Sequence, residues 1–160
     1  NGTVQVGSGY SGSFEVTLEM AKNLVEIPET VTEETTGNTY TVVAIGENAF
    51  ASAWNAAWEG MMSSRVKNIS IPKTVTTIGK NAFSEANKLE TITFAEGSQL
   101  TSIGEHAFDT CSALKSITLP DGFKTIGEAA FADCKALKTV EAGLYASCAK
   151  VSCEWTIDNQ

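Results

Sequence analysis

Polar and apolar residues alternate over β-branched letters in three short stretches, "NISIP", "TITFA" and "SITLP". Such alternation predicts half-buried strands. In the third, Ile117 and Leu119 should face inward, with Ser116 and Thr118 outward. Pro72 and Pro120 would end their strands and start turns, since proline cannot donate to a ladder. The following "FKTIG" reads as a second short extended piece. Its glycine suits a point where the chain turns with positive φ or passes close to a neighbour. "EAAF" reads as one helical or 3₁₀ turn that drops Phe131 into the core.

These stretches belong to a period. Ile45-Gly46, Ile78-Gly79, Ile103-Gly104 and Ile126-Gly127 fall in one column, with intervals of 33, 25 and 23 residues. Four residues after each glycine stands a phenylalanine: Phe50, Phe83, Phe108 and Phe131. Alanine precedes each, as Ala49, Ala82, Ala107 and Ala130, and Val42, Val75, Leu100 and Phe123 lie three before each Ile. Leu89, Leu114 and Leu137 head the alternating segments. Fixed positions are apolar or small, whereas drifting ones are polar. One unit stacked on copies of itself produces that contrast, because each column fills the same slot in every coil.

Unequal intervals point to insertions in loops. The interval of 33 contains ten extra residues after Phe50, and that of 25 contains two extra between Phe94 and Leu100. A further insertion lies between Val31 and Val42, where "TTGNT" flanked by Thr, Val and Tyr reads as a β-hairpin tip.

The expected organisation is a single domain over 1–160. Residues 1–23, with "SFEVTLEM" alternating, form a β-rich N-terminal cap. About four repeats span 24–140, with insertions at 32–41 and 51–65, and 141–160 supply a truncated repeat and C-terminal cap.

Composition narrows the class further. An apolar content of 42% over 160 residues supports a folded core. Eleven Lys and Arg against nineteen Asp and Glu give a net charge of -8, which leaves no basic surface for phosphates. Nucleic acid is therefore not an expected partner. No apolar run reaches the roughly 18 to 20 residues of a spanning helix. The chain opens on "NGTVQVGSGY" rather than on a methionine and a basic n-region, so it reads as a mature fragment whose export signal or lipid anchor went with a missing part.

The signature "LxxIxLPxxhxxIGxxAFxxC", with h apolar, is complete in "LKSITLPDGFKTIGEAAFADC" from Leu114 to Cys134. It resembles the BspA-like class of leucine-rich repeats, and the likeness covers roughly residues 24 to 140. The resemblance implies an α+β repeat solenoid, a right-handed leucine-rich-repeat-like coil with short parallel strands and short helical turns. It also implies an exported or cell-surface protein of bacteria or protists that adheres to host proteins or other cells. Ala53 and Ala86 depart from the signature cysteine, and after Val140 the pattern breaks down into "EAGLYASCAKVSCEW".

Candidate chemistry is sparse. Cys111, Cys134 and Cys148 share a column with alanines, which suits a small buried residue rather than a reactive thiol. Cys148 and Cys153 would close a terminal disulfide loop if the chain is secreted. His106, the single histidine, occupies a drifting position expected to face solvent and has no evident nucleophile to serve. No zinc spacing and no phosphate-binding glycine cluster occurs, so neither a cofactor nor an enzymatic activity is expected.

Two features are candidates for ligand binding. Trp54 and Trp58 lie four apart in "ASAWNAAWEGMMSSR", with Met61 and Met62 beyond. They would form either a protruding knob or a stripe that packs a helix on the convex side. The outward strand positions Asn68, Ser70, Thr91, Thr93, Ser116, Thr118, Thr139 and Glu141 would make a polar ladder on an open sheet. The expected function is thus a non-catalytic extracellular or cell-surface module that binds a protein or glycan. A structural spacer of a larger surface protein is the alternative.

Overall fold

The computed structural model describes residues 2–6, 24–51 and 67–142. Trp54, Trp58, Met61, Met62, Cys148, Cys153 and most of both expected caps lie outside the described residues. The alternating segments do form strands. β1 (Gly2–Val6), β2 (Leu24–Glu26), β3 (Thr30–Thr32), β4 (Thr39–Ile45), β5 (Asn68–Ile71), β6 (Thr77–Ile78), β7 (Thr91–Phe94), β8 (Ser102–Ile103), β9 (Ser116–Leu119), β10 (Thr125–Ile126) and β11 (Thr139–Ala142) follow in chain order.

They build two sheets. In one, β2, β5, β7, β9 and β11 lie side by side and parallel, one strand from each successive coil. In the other, β1, β4, β6, β8 and β10 do the same, so the second extended piece read at "FKTIG" is a real strand. β3 adds to this sheet antiparallel to β4, which confirms the hairpin at "TTGNT". Gly37 takes φ 71° at its tip, and the hydroxyls of Thr35 and Thr36 donate to the Glu33 carboxylate.

Between the sheets lies the column core. Val75, Leu100, Ala82, Phe83, Ala107, Phe108 and Leu114 are each fully buried, as the period requires. Phe50, Phe83, Phe108 and Phe131 stack face to face with centroids 5.1, 5.0 and 5.2 Å apart. That spacing is close to the strand separation within a sheet, so the rings rise with the backbone at one rate. Interplanar angles of 7°, 3° and 5° keep them parallel throughout.

The glycine column exists for close approach. Gly79, Gly104 and Gly127 do not take positive φ. Each donates its N–H to an Ile carbonyl of the preceding coil at 2.8 Å: Ile45, Ile78 and Ile103 in turn. A Cβ on Gly104 would stand 2.7 Å from the carbonyl carbon of Gly79, and one on Gly127 2.2 Å from the Glu105 nitrogen. β1 supplies the same support at the start of the stack, since the Gly46 N–H donates to Val6 and Val6 registers with Ile45.

One expectation is corrected. Among the described residues there is no helix, and "EAAF" with its counterparts forms successive non-helical turns. Alternate N–H groups bond within the coil, as Ala82 to Gly79 at 3.3 Å and Ser84 to Asn81 at 3.1 Å. The others reach the next coil, as Asn81 to Glu105 at 3.0 Å, Phe83 to Ala107 at 2.7 Å and Glu85 to Asp109 at 2.8 Å. A helix would close its N–H groups on its own carbonyls and leave the neighbouring coil's acceptors unmatched. Positive φ at Asn81 (52°) and Glu85 (62°) aims these groups between coils.

Candidate binding surface

The outward positions of the first sheet form two rows across the coils. Asn68, Thr91, Ser116 and Thr139 stand in register, as do Ser70 with Thr93 and Thr118 with the Glu141 backbone. Thr91, Thr93, Ser116, Thr118 and Thr139 are exposed, whereas Asn68 and Ser70 are half-buried. The structure therefore brings the strand candidates onto one open face. Backbone pairing sets their order, because strand residues two apart project to the same side.

The face is not uniform. β5 pairs with β7, and β9 with β11, over four residues each, but β7 meets β9 only at Thr91 and Ser116. Ala95, the residue after β7, donates its N–H to Ile71 at 3.0 Å. Its counterpart after β9 is Pro120, which has no N–H to offer Phe94. Between β7 and β9, from Thr91 and Ser116 to the turns that follow, lies an open depression of about 570 Å³, lined in part by Phe94, Glu96, Leu119 and Asp121. Phe94 sits in an inward column yet is only half-buried. Sequence reasoning missed this depression. The signals were Pro120 and the two-residue lengthening before Leu100.

Charged side chains run along the edge in alternating sign. Glu90 accepts from Lys115 at 2.6 Å and pairs with Lys67 at 3.2 Å. The Lys115 hydrogen bond, followed by that from Lys67, holds the Glu90 carboxyl below its usual range. Glu105 is lowered in the same way by Lys80 at 3.0 Å. Exposed pairs of this kind add little stability. Their consequence is local neutrality on that edge.

His106 departs from its expected exposure. It is half-buried, its Nδ1 lies 3.6 Å from Asp109 and its Nε2 3.7 Å from Glu105, and its backbone takes φ 54°. Cys111 and Cys134 are free, with the first buried and the second half-buried. Burial pushes the Cys111 thiol far up and that of Cys134 to about 12. Among the described residues no group of His, Cys, Asp and Glu could hold a metal ion, and no helix is long and apolar enough to cross a membrane.

Stacked parallel strands that carry one buried letter set from coil to coil define a repeat solenoid. Residues 59–150 match the BspA type leucine rich repeat region in six copies, and the chain belongs to that family. A leucine-rich repeat protein from Bacteroides capillosus is similar at 32% identity over 75% of this chain and 76% of that one, with a TM-score of 0.61. The pneumococcal vaccine antigen PcpA is similar at 28% identity and a TM-score of 0.63, over 77% of this chain and 29% of that one. No curated protein matches the chain.

Proposed function

We propose that the chain is a non-catalytic binding module displayed outside the cell, engaging a protein or glycan through the open face of the first sheet and the segment bearing Trp54 and Trp58. The carrying observation is the two-row array of exposed Thr and Ser side chains across consecutive coils. A rigid, repetitive face offers hydroxyl groups at fixed spacing with little ordering cost on binding. Surface display draws support from the likeness to PcpA, a vaccine antigen. The non-catalytic reading draws support from membership of a repeat family and from the burial of the Cys111 thiol.

The test is a screen of the full chain against immobilised extracellular-matrix proteins and glycans, beside Trp54→Ala/Trp58→Ala and Thr91→Glu/Thr118→Glu. Capture that either variant abolishes is the expected result. An empty screen would remove the binding reading.

A spacer role is the second reading. The uninterrupted aromatic stack favours it, since a stiff rod needs only coil-to-coil contacts. Acrylamide quenching of a Trp155→Phe chain separates the two: accessible Trp54 and Trp58 favour binding, and shielded ones favour the spacer.

A further inference from the structure

The tips of the turns that follow the first-sheet strands make a column of their own: Glu29, Lys73, Glu96 and Asp121. Its first two members pair, Lys73 to Glu29 at 3.3 Å. The next two are both acidic and exposed, and neither makes an ion pair among the described residues. No Lys or Arg lines the depression they border. Two carboxylates and no cation thus line the depression, which gives it a negative potential. Beside them lie the half-buried ring of Phe94, the buried Leu119 and the ring of Pro120. The ladder between β7 and β9 is open here, and Pro120 has no N–H to supply its last bond.

We infer that the depression between the ends of β7 and β9 receives an arginine side chain from a partner protein, with Glu96 and Asp121 taking its charge and Phe94 its flat face. Guanidinium combines the two demands, since it hydrogen-bonds carboxylates in a fork and stacks on aromatic rings. A lysine would meet the carboxylates and leave the ring's face less well used. The inference rests on the binding reading above and gives that reading a site and a partner chemistry.

The test uses the full chain, ¹⁵N-labelled, titrated with a Gly-Ser nonapeptide that carries two arginines and with the same peptide bearing citrulline, which is neutral and nearly isosteric. The arginine peptide should shift the amides of Phe94, Glu96 and Asp121, and the citrulline peptide should bind about tenfold more weakly or worse. Glu96→Gln/Asp121→Asn, both at exposed positions, should weaken the arginine peptide about tenfold and flatten its dependence on salt. Phe94→Leu should weaken it with the salt dependence kept. Equal binding of the two peptides, shifts confined to other coils, or an unchanged double variant would each overturn the assignment. So would a neutral oligosaccharide that occupies the depression where the arginine peptide does not. If the screen captures a matrix protein equally well with the double variant, the binding reading stands and this site falls.

Discussion

The thiol of Cys111 donates to the main-chain carbonyl of Phe83 at 3.2 Å, reaching back one coil in the stack. One coil later Cys134 repeats the contact with Phe108 at 3.1 Å. Both sulfurs act as small core atoms with a weak donor, and in the sister coil Ala86 fills the same slot without one. The thiolate is the reactive form, so peptide-resolved alkylation of the native chain at pH 8 should leave Cys111 unmodified and Cys134 nearly so. Urea should release both. Rapid native labelling of Cys111 would mean that the slot is open.

Stability should fall with alkaline pH for the same reason. The folded thiol of Cys134 titrates at about 12, with burial as the main cause, whereas an unfolded cysteine titrates near 8.5. The stabilisation is therefore complete below about pH 8.5 and is lost as pH rises toward the folded value. Denaturation midpoints taken from pH 8 to 10.5 should decline less in Cys111→Ala/Cys134→Ala than in the parent chain.

Phe108 is packed between the rings of Phe83 and Phe131, 5.0 and 5.2 Å away. Phe108→Ala should cost about 3 to 5 kcal/mol, because a rigid column cannot collapse into the gap. Phe50 is only half-buried, so Phe50→Ala should cost clearly less. Urea unfolding of both variants checks the order. Equal losses would argue that the stack is not the central support.

Glycine roles separate cleanly by position. Gly122 takes φ +84° with open space around it, whereas Gly127 has an ordinary φ but a neighbouring backbone where its Cβ would go. Gly122→Ala should cost about 1 to 2 kcal/mol, the ordinary penalty of left-handed backbone. Gly127→Ala should cost more, since two coils must part to admit a methyl group. The reverse order in thermal or urea unfolding would place the close approach elsewhere.

Much of this architecture was legible because identical slots demand identical letters: Phe83 and Phe108, Ile78 and Ile103, Gly79 and Gly104 all sit where their columns put them. The turn segment was misread. "EAAF" has good helix formers, but its conformation is set by the next coil, whose carbonyls need its N–H groups, and tertiary demand overrides local propensity. The outward ladder was legible from alternation alone. The opening between β7 and β9 was not, because it depends on how two coils pair; Pro120 reveals only the missing bond to Phe94, 26 residues earlier.

Positions that drift in the repeat are not all free. Asn48, Asn81, His106 and Ala129 share a column and take φ 54°, 52°, 54° and 50°. Asparagine enters the left-handed region more readily than alanine. Ala129→Asn should therefore stabilise the chain by about 0.5 to 1 kcal/mol, and Asn81→Ala should cost a similar amount. The next left-handed column contains Thr110 at φ 58°, a β-branched residue for which that conformation is a true outlier. Thr110→Asn should gain at least as much as Ala129→Asn, less the loss of the Thr110 hydroxyl bond to Asp109 at 3.0 Å. Urea midpoints of the three variants provide the measurement. If Ala129→Asn destabilises while Asn81→Ala is neutral, the column does not hold the left-handed geometry in solution, and the alternating inter-coil hydrogen bonds would need another origin.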